Sequence, residues 1–430
     1  MPETAPLRLG IAGLGTVGVG VVRIVRKHAA LLAARAGRPV EIAAVSARSR
    51  DKDRGIDIGR YGWEDDPVAL ARREDVDVVV ELMGGSDGPA KATVEAAIRA
   101  GKDVVTANKA LLAHHGQELA RAAEAAGSVL RFEAAVAGGI PVVKALTEGL
   151  AGNEITRVMG VMNGTCNYIL TRMEATRQGY DALFDEAHKL GYLEADPQLD
   201  VGGIDAGHKL ALLAAIAFGT QVNFEAVEIE GIEQIELRDI EEAAAMGYRI
   251  KLLGVARMTG RGLEQRMSPC LVPANSPLGQ LEGGTNMVVI DGDSVGQIVL
   301  RGAGAGEGPT ASAVIGDVID IARGFRVSTF GVSAGDLVAA TPARAAVPAP
   351  YYLRMELIDK PGAMAKVAAV LGEAGVSIDR MRQHGHSAPT APVIFVTHKC
   401  ARAQIDAALV GMSQTGVVAG APVAIRIEEV

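Results

Sequence analysis

A chain of 430 residues is longer than a single hydrophobic core normally supports, so two or three domains are expected. Apolar residues make up 49% of it, aromatic residues only 3%, and 52 positions are glycine; this balance suits layered α/β packing and argues against an aromatic-rich sandwich. The net charge of -8 offers no basic face for a phosphodiester backbone, so nucleic acid is not among the expected partners.

The longest apolar helical candidate, Leu210 to Phe218, falls well short of a bilayer span, and no membrane partner is expected. The first apolar run begins at Leu7, which leaves no room for a signal peptide. Cys166, Cys270 and Cys400 are widely spaced and odd in number, and fit neither a disulfide framework nor a zinc motif. A cytoplasmic location follows as the expectation.

Leu7 to Ala12 is a short apolar run followed by Gly13-Leu14-Gly15-Thr16-Val17-Gly18 and a periodic segment through Val21, Val22 and Val25, which reads as strand, tight turn and helix. Apolar runs at Val40 to Ser46, Val76 to Met83 and Val104 to Ala107 alternate with helical segments. That order predicts a parallel, doubly wound, Rossmann-like sheet. Next comes a strand candidate at Ile155 to Met162. A helix is expected from Tyr180 to Leu190, with Leu183, Ala187 and Leu190 on one face and Gly191 as a left-handed cap. A second helix is read from Asp205 to Phe218 and a third from Ala311 to Ala322, the latter after the glycine-rich stretch Gly302 to Gly308, which returns the chain toward the first sheet.

Thr341 to Pro350, alanine-rich with three prolines, reads as a linker. Beyond it, strands at Tyr351 to Leu357, Val376 to Met381, Val393 to His398 and Val423 to Ile427 alternate with helices at Met364 to Leu371 and Ala403 to Met412. The order βαββαβ is ferredoxin-like. The expected domains are therefore residues 1–135 with about 306–340 as a dinucleotide-binding unit, 136–305 as an α+β substrate and dimerisation unit, 341–350 as the linker, and 351–430 as a small C-terminal module.

The glycine turn follows a strand and opens a helix, where close backbone approach and the helix dipole suit a pyrophosphate; Gly13, Gly15, Thr16, Val17 and Gly18 are its candidate cofactor residues. After the second strand an NAD site wants a carboxylate, yet the chain has Arg48, Arg50 and Lys52. Cations there favour a 2′-phosphate, hence NADP over NAD, with Arg48 as the chosen contact. Lys109 stands just beyond a strand end, where ligands of open sheets sit. In the stretch Gly191 to Lys209, Asp205 and Lys209 lie one helical turn apart, with Glu194 and Asp200 in the preceding loop. Carboxylates there suit a substrate ammonium, and a partly desolvated lysine suits proton exchange with a hydroxyl or aldehyde oxygen.

Gly191 through Lys209, with its Glu, its Asp-Pro and its Asp-x4-Asp-x3-Lys spacing, resembles the signature of homoserine dehydrogenases. The similarity extends to Glu81-Leu82-Met83-Gly84-Gly85, Ala137-Gly138-Gly139-Ile140-Pro141, Asn163 through Leu170, and Pro309 through Ala313, and so spans most of residues 8–325. Leu193 stands where the family more often has a small residue, and Gly207 where it often has alanine. The C-terminal module resembles an ACT domain, with Asp359-Lys360-Pro361-Gly362 as its first turn.

The resemblance implies interconversion of L-homoserine and L-aspartate 4-semialdehyde in the biosynthesis of threonine, methionine and isoleucine. It implies Lys209 as proton donor and acceptor, and Lys109 beside the hydride-transfer site and the cofactor. Glu194, Asp200 and Asp205 would face the substrate, and Gly191 and Gly306 the cofactor. It further implies a monovalent cation, usually sodium, on main-chain oxygens of Glu133, Val136, Gly138 and Ile140, an L-threonine effector at the ACT module, and a homodimer or homotetramer. With no upstream kinase-like segment, a single activity is expected. Two other readings of the residues remain: an amino-acid sensor on a dehydrogenase scaffold, and a dehydrogenase for another small amino alcohol. Cys166, His188 and His208 are read as packing or surface residues rather than reacting groups.

Overall fold

The structure is a computed structural model that describes residues 5–193, 196–343, 345–383 and 389–430. Its first layer is a six-stranded parallel sheet built from β1 (Leu7–Ala12), β2 (Val40–Ser46), β3 (Gly62–Glu64), β4 (Val78–Glu81), β5 (Asp103–Thr106) and β6 (Leu130–Arg131). Helices α1 (Thr16–Lys27), α2 (Ala29–Ala36), α3 (Pro67–Arg72), α4 (Pro89–Arg99) and α5 (Lys109–Ala125) connect them. The strand order is β3-β2-β1-β4-β5-β6. The chain therefore reverses direction across the sheet between β1 and β4, and a crevice opens at the C-terminal ends of those two strands. β4 is buried along its whole length, as a strand covered by helices on both faces must be.

Next come the short turn α6 (Val142–Lys144), strand β7 (Ile155–Val161), helices α7 (Gly164–Thr176), α8 (Tyr180–Lys189), α9 (Pro197–Val201) and α10 (Ile204–Phe218), strand β8 (Glu228–Ile229) and helix α11 (Leu237–Ala245). Two hairpins that the sequence reading did not place follow: β9 (Tyr248–Thr259) with β10 (Gly262–Pro273), and β11 (Thr285–Gly292) with β12 (Gly296–Ala303). Helix α12 (Glu307–Ala322) then returns to the first sheet, where Glu307 and Arg23 of α1 form an ion pair at 2.6 Å. It starts four residues before the expected Ala311, since Gly306 is the N-cap and Pro309 falls in the first turn, where its missing N–H leaves no gap in the ladder. Helix α8 ends at Lys189, and Leu190 is 58% exposed rather than on the buried face; Gly191 takes the left-handed conformation, with φ 74°.

The stretch 341–350 is bonded along its course: Thr341 O accepts from Leu263 N and Leu263 O from Ala343 N, both at 2.9 Å, and Ala349 pairs with Cys400. The C-terminal module is β13 (Tyr351–Ile358), α13 (Ala363–Glu373), β14 (Ile378–Gln383), β15 (Thr390–Thr397), α14 (Arg402–Gln414) and β16 (Val418–Ile427), the βαββαβ order expected. Its sheet is continuous with that of the middle region, because β16 pairs in parallel with β10 at Cys270 and Leu271. The combined order is β12-β11-β7-β9-β10-β16-β13-β15-β14, with β8 beside β10. A buried knot backs this seam: Asp239 accepts from Arg354 Nε at 2.7 Å and from Tyr352 Oη at 2.9 Å. Among the described residues no helix is long and apolar enough to cross a membrane.

Candidate active site

The crevice holds two recesses that share Leu82, Met83 and Gly84 as a common wall. The larger, about 570 Å³, lies over Gly13, Leu14 and Gly15 and is flanked by Arg48, Ser49, Lys52 and Arg54. Each glycine of the turn answers a different steric demand. Gly13 has φ 107°, and a Cβ on it would fall 2.6 Å from the Leu82 carbonyl oxygen; on Gly18 it would fall 2.0 Å from the Gly13 carbonyl oxygen. Gly15 faces open space, so the missing side chain there makes room for something outside the protein. Gly15 is also the N-cap of α1, whose first turn begins with Thr16 and Val17 and carries no acidic residue, leaving the amide end of the helix available to an anion. The turn thus fits a dinucleotide pyrophosphate.

Of the three cations the sequence offered for a 2′-phosphate, Arg48 and Lys52 line the recess, while Arg50 lies over the Trp63 ring, 5.8 Å from its centroid. Arg54, unremarked in the sequence, fastens the basic loop to the glycine turn: Nη1 donates to Lys52 O at 2.8 Å, Nη2 to Ser49 O at 2.5 Å, and Nε to Leu14 O at 3.2 Å.

The second recess, about 270 Å³, is lined by Val17 of the glycine turn and, opposite, by Lys109, Gly138, Lys209 and Gly304. Lys109 opens α5 and Lys209 sits in the second turn of α10; Asp205 links them, with Oδ2 2.6 Å from Lys209 Nζ and Oδ1 2.8 Å from Lys109 Nζ. Lys209 Nζ also donates to Met162 O at 2.9 Å, so two of its three N–H donors are anchored while the side chain fronts the cavity. Burial acts to raise the Asp205 carboxyl, but the charges of Lys209 and Lys109 outweigh it and hold the group well below the usual carboxylate range. The cluster therefore carries two ammoniums against one carboxylate, a positive site suited to an oxygen that gains or loses a proton.

A polar scaffold to whose residues the sequence reading gave no role positions these groups. Glu81, fully buried at the end of β4, accepts from Thr106 Oγ1 and from Met83 N, both at 2.7 Å. Asn108 caps α5 through Leu111 N at 3.0 Å and donates to Gly85 O at 2.7 Å, which joins the start of Lys109's helix to the shared wall. Asn163 caps α7 through Cys166 N at 2.8 Å and donates to Asp200 Oδ1 at 2.9 Å. The signal for all three was the same: a polar residue at the end of an apolar run, which reads equally well as a turn former.

The remaining expected site residues fall as follows. Asp200 is buried behind α10, held by Asn163. Glu194 lies outside the described residues. Gly191 is exposed and lines neither recess; Gly306, with φ 126°, caps α12 next to Gly304 and Ala305, which do line the smaller one. In the loop from Glu133 to Ile140, Ala137 and Gly138 are left-handed, with φ 55° and 48°, an arrangement unusual for alanine and common where a loop clamps a ligand. The Glu133 side chain is engaged with the backbone, accepting from Val143 N at 2.9 Å and Lys144 N at 2.8 Å; burial, with Asp317 nearby, pushes its carboxyl up to about 7. Val136 and Ile140 are buried. Among the described residues no three His, Cys, Asp or Glu side chains form a metal site. Cys166 is buried, donates to Asp200 O at 3.3 Å and has its thiol pushed up by burial, which suits packing. His188 is exposed, and His208 is buried with its ring centroid 4.2 Å from that of Phe224.

Comparison with known proteins gives a consistent picture. Residues 141–319 match the family model described as homoserine dehydrogenase, residues 13–133 the model of the homoserine dehydrogenase NAD binding domain, and residues 351–409 that of the ACT domain. A homoserine dehydrogenase of Neisseria gonorrhoeae is 42% identical over 98% of this chain and 99% of its own. The crystal structure of a homoserine dehydrogenase from Thiobacillus denitrificans superposes with a TM-score of 0.93 at 40% identity, covering 99% of both chains. A hyperthermophilic archaeal homoserine dehydrogenase in complex with NADPH matches 74% of this chain and 97% of its own, with a TM-score of 0.62 and 26% identity.

Proposed function

Since the chain belongs to the homoserine dehydrogenase family of oxidoreductases, we propose that it interconverts L-homoserine and L-aspartate 4-semialdehyde with NADP as the preferred carrier. The observation that carries this reading is the Asp205 carboxylate bridging Lys109 and Lys209 on the wall of a cavity that also meets the glycine turn at Val17. NADP, when bound, takes up or supplies the hydride at its nicotinamide ring. Gly13, Gly15, Thr16, Val17 and Gly18 would receive its pyrophosphate, and Arg48, with Lys52, the 2′-phosphate. The NADPH named for the archaeal relative supports that choice of carrier.

Lys209 as the ammonium gives a proton to the aldehyde oxygen as the hydride arrives at the carbon, and as the neutral amine takes the hydroxyl proton of homoserine when the hydride leaves in the other direction. Its anchoring by Met162 O and Asp205 holds Nζ in place while that proton moves. Lys109 orients the reacting groups from the opposite side of Asp205. Glu194 and Asp200 belong with the substrate ammonium, and Gly191 and Gly306 with the cofactor. For the monovalent cation, the main-chain oxygens of Glu133, Val136, Gly138 and Ile140 are the proposed ligands, supported by the left-handed pair at Ala137 and Gly138. The ACT module is proposed to confer inhibition by L-threonine, and the working unit to be a cytoplasmic homodimer or homotetramer, divided at the boundaries read from the sequence.

The test is spectrophotometric. Purified protein given L-homoserine should reduce NADP faster than NAD. Lys209→Ala should abolish turnover and leave NADP binding nearly intact; full activity in that variant would refute the role of the lysine, and no reduction of either cofactor by the unaltered protein would remove the function.

A further inference from the structure

The stretch Pro309 through Ala313 takes no part in the chemistry of Lys109, Asp205 and Lys209, yet its Thr310 lines the smaller recess and is only 8% exposed. The hydroxyl of this residue is unlike those of other helical threonines. Thr93, Thr147 and Thr176 each donate to the carbonyl oxygen four residues back, at 2.7, 2.9 and 2.8 Å, the ordinary way for a hydroxyl on a helix to be satisfied. The equivalent oxygen for Thr310 is Gly306 O, which accepts from the Thr310 amide at 3.1 Å and not from the hydroxyl. Among the described residues the Thr310 hydroxyl has no hydrogen-bond partner.

The rest of the recess makes that hydroxyl matter. Its lining is apolar or glycine apart from Thr310, Asn108, Lys109 and Lys209. Asn108 is engaged on both sides of its amide, with Oδ1 accepting from Leu111 N and Nδ2 donating to Gly85 O, and the two ammoniums are donors without acceptor capacity. Thr310 Oγ1 is therefore the side-chain acceptor of this lining that stays open. It is also held at a fixed distance from the glycine turn, because the first turn of α12 presses on α1: a Cβ on Gly20 would fall 2.8 Å from Glu307 O and 3.0 Å from Ala311 Cβ. A dinucleotide whose pyrophosphate sits at that turn extends its nicotinamide into the smaller recess, where Val17 and the lysines meet. The ring carries one polar group, a carboxamide. Its oxygen can take a bond from an ammonium, but its nitrogen is a donor and needs an acceptor.

We propose that Thr310 positions the carrier: its hydroxyl oxygen accepts a hydrogen bond from the carboxamide nitrogen of the nicotinamide and so fixes which face of the ring is turned toward Lys209. Hydride transfer is thereby confined to one face, in line with the carbon whose oxygen exchanges its proton with Lys209. This contact rests on the reading of the smaller recess as the seat of the nicotinamide, and the two can fail separately.

Calorimetric titration of the full chain, without substrate, compares NADP with its 3-acetylpyridine analogue, in which a methyl replaces the amino group of the carboxamide. In Thr310→Val, which keeps the shape and removes the hydroxyl, the Kd for NADP should rise about three- to tenfold, as for loss of one hydrogen bond, while the Kd for the analogue stays within about twofold of that of the unaltered protein. Thr310→Ser should bind both carriers as the unaltered protein does. At saturating NADP the kcat for homoserine oxidation should fall about ten- to a hundredfold in the valine variant, the cost of a misdirected ring, and recover in the serine variant. Equal weakening toward both carriers, or none toward NADP, overturns the contact; so does a serine variant as weak as the valine one. Failure of the unaltered protein to bind NADP at all would instead empty the recess of its nicotinamide and take the contact with it.

Discussion

The recess over the glycine turn is shaped by backbone, and the cavity beside it by side chains. In the first, what matters at Gly13 and Gly18 is the absence of a Cβ next to a carbonyl oxygen, and at Gly15 the absence of anything at all. In the second, three ionised groups from two helices hold one another, and removing any of them changes the charge felt by the other two. A site made of backbone fails when volume is added to it; one made of buried charge fails when charge is taken away.

Asp205→Asn gives the largest expected effect, because it keeps the shape and leaves two ammoniums facing each other. The kcat for homoserine oxidation should fall about 100- to 10,000-fold, while NADPH affinity followed by nicotinamide fluorescence should move by no more than about threefold. Equal losses in both measurements would erase the contrast between the two recesses. Next come paired glycine changes. Gly15→Ala should raise the Kd for NADPH about tenfold or more with the melting temperature unaltered, whereas Gly18→Ala, clashing inside the turn, should lose about 1–3 kcal/mol in urea unfolding. Should Gly15→Ala prove as unstable as Gly18→Ala, the open space at Gly15 is not there for a ligand. The smallest effect expected is from Arg48→Gln, a shift of about tenfold in the ratio of kcat/KM between NADP and NAD, since Lys52 lines the same recess and retains part of the phosphate contact. An unchanged ratio would move the 2′-phosphate away from this loop.

The same contrast explains what could be read without coordinates. The glycine turn is local, and its spacing alone states its geometry. The pairing of Asp205 with Lys209 was equally legible, because an i,i+4 relation survives any tertiary arrangement of the helix. The pairing of Asp205 with Lys109 was not, since nothing near Lys109 announces which distant carboxylate the fold will bring to it. The hairpin of β9 and β10 escaped notice for a related reason. Glu264, Gln265 and Arg266 are three polar or charged residues in a row that break any apolar alternation, yet all three are buried, and Arg266 is satisfied by Glu264 and by Glu428 near the other end of the chain. Gly207, a departure from the family's usual alanine, makes sense only once Ile229 and Phe224 are seen against it.

The sheet that runs unbroken from β10 into β16 has a practical consequence for anyone wishing to free this enzyme from its C-terminal module. Cutting at the proline-rich stretch would not uncap a finished body. Glu428 would depart with the excised piece, leaving Arg266, 3% exposed in the intact chain, with Glu264 as its carboxylate partner and the Cys270 thiol and Ser268 hydroxyl as lesser acceptors. The amide edge of β10 at Cys270 and Leu271 would be stripped at the same stroke, a template on which strands of other molecules can assemble. The final residues, through Ile427 bonded to Pro350 and Glu428 bonded to Leu271, act as the keystone of the part they seem only to follow.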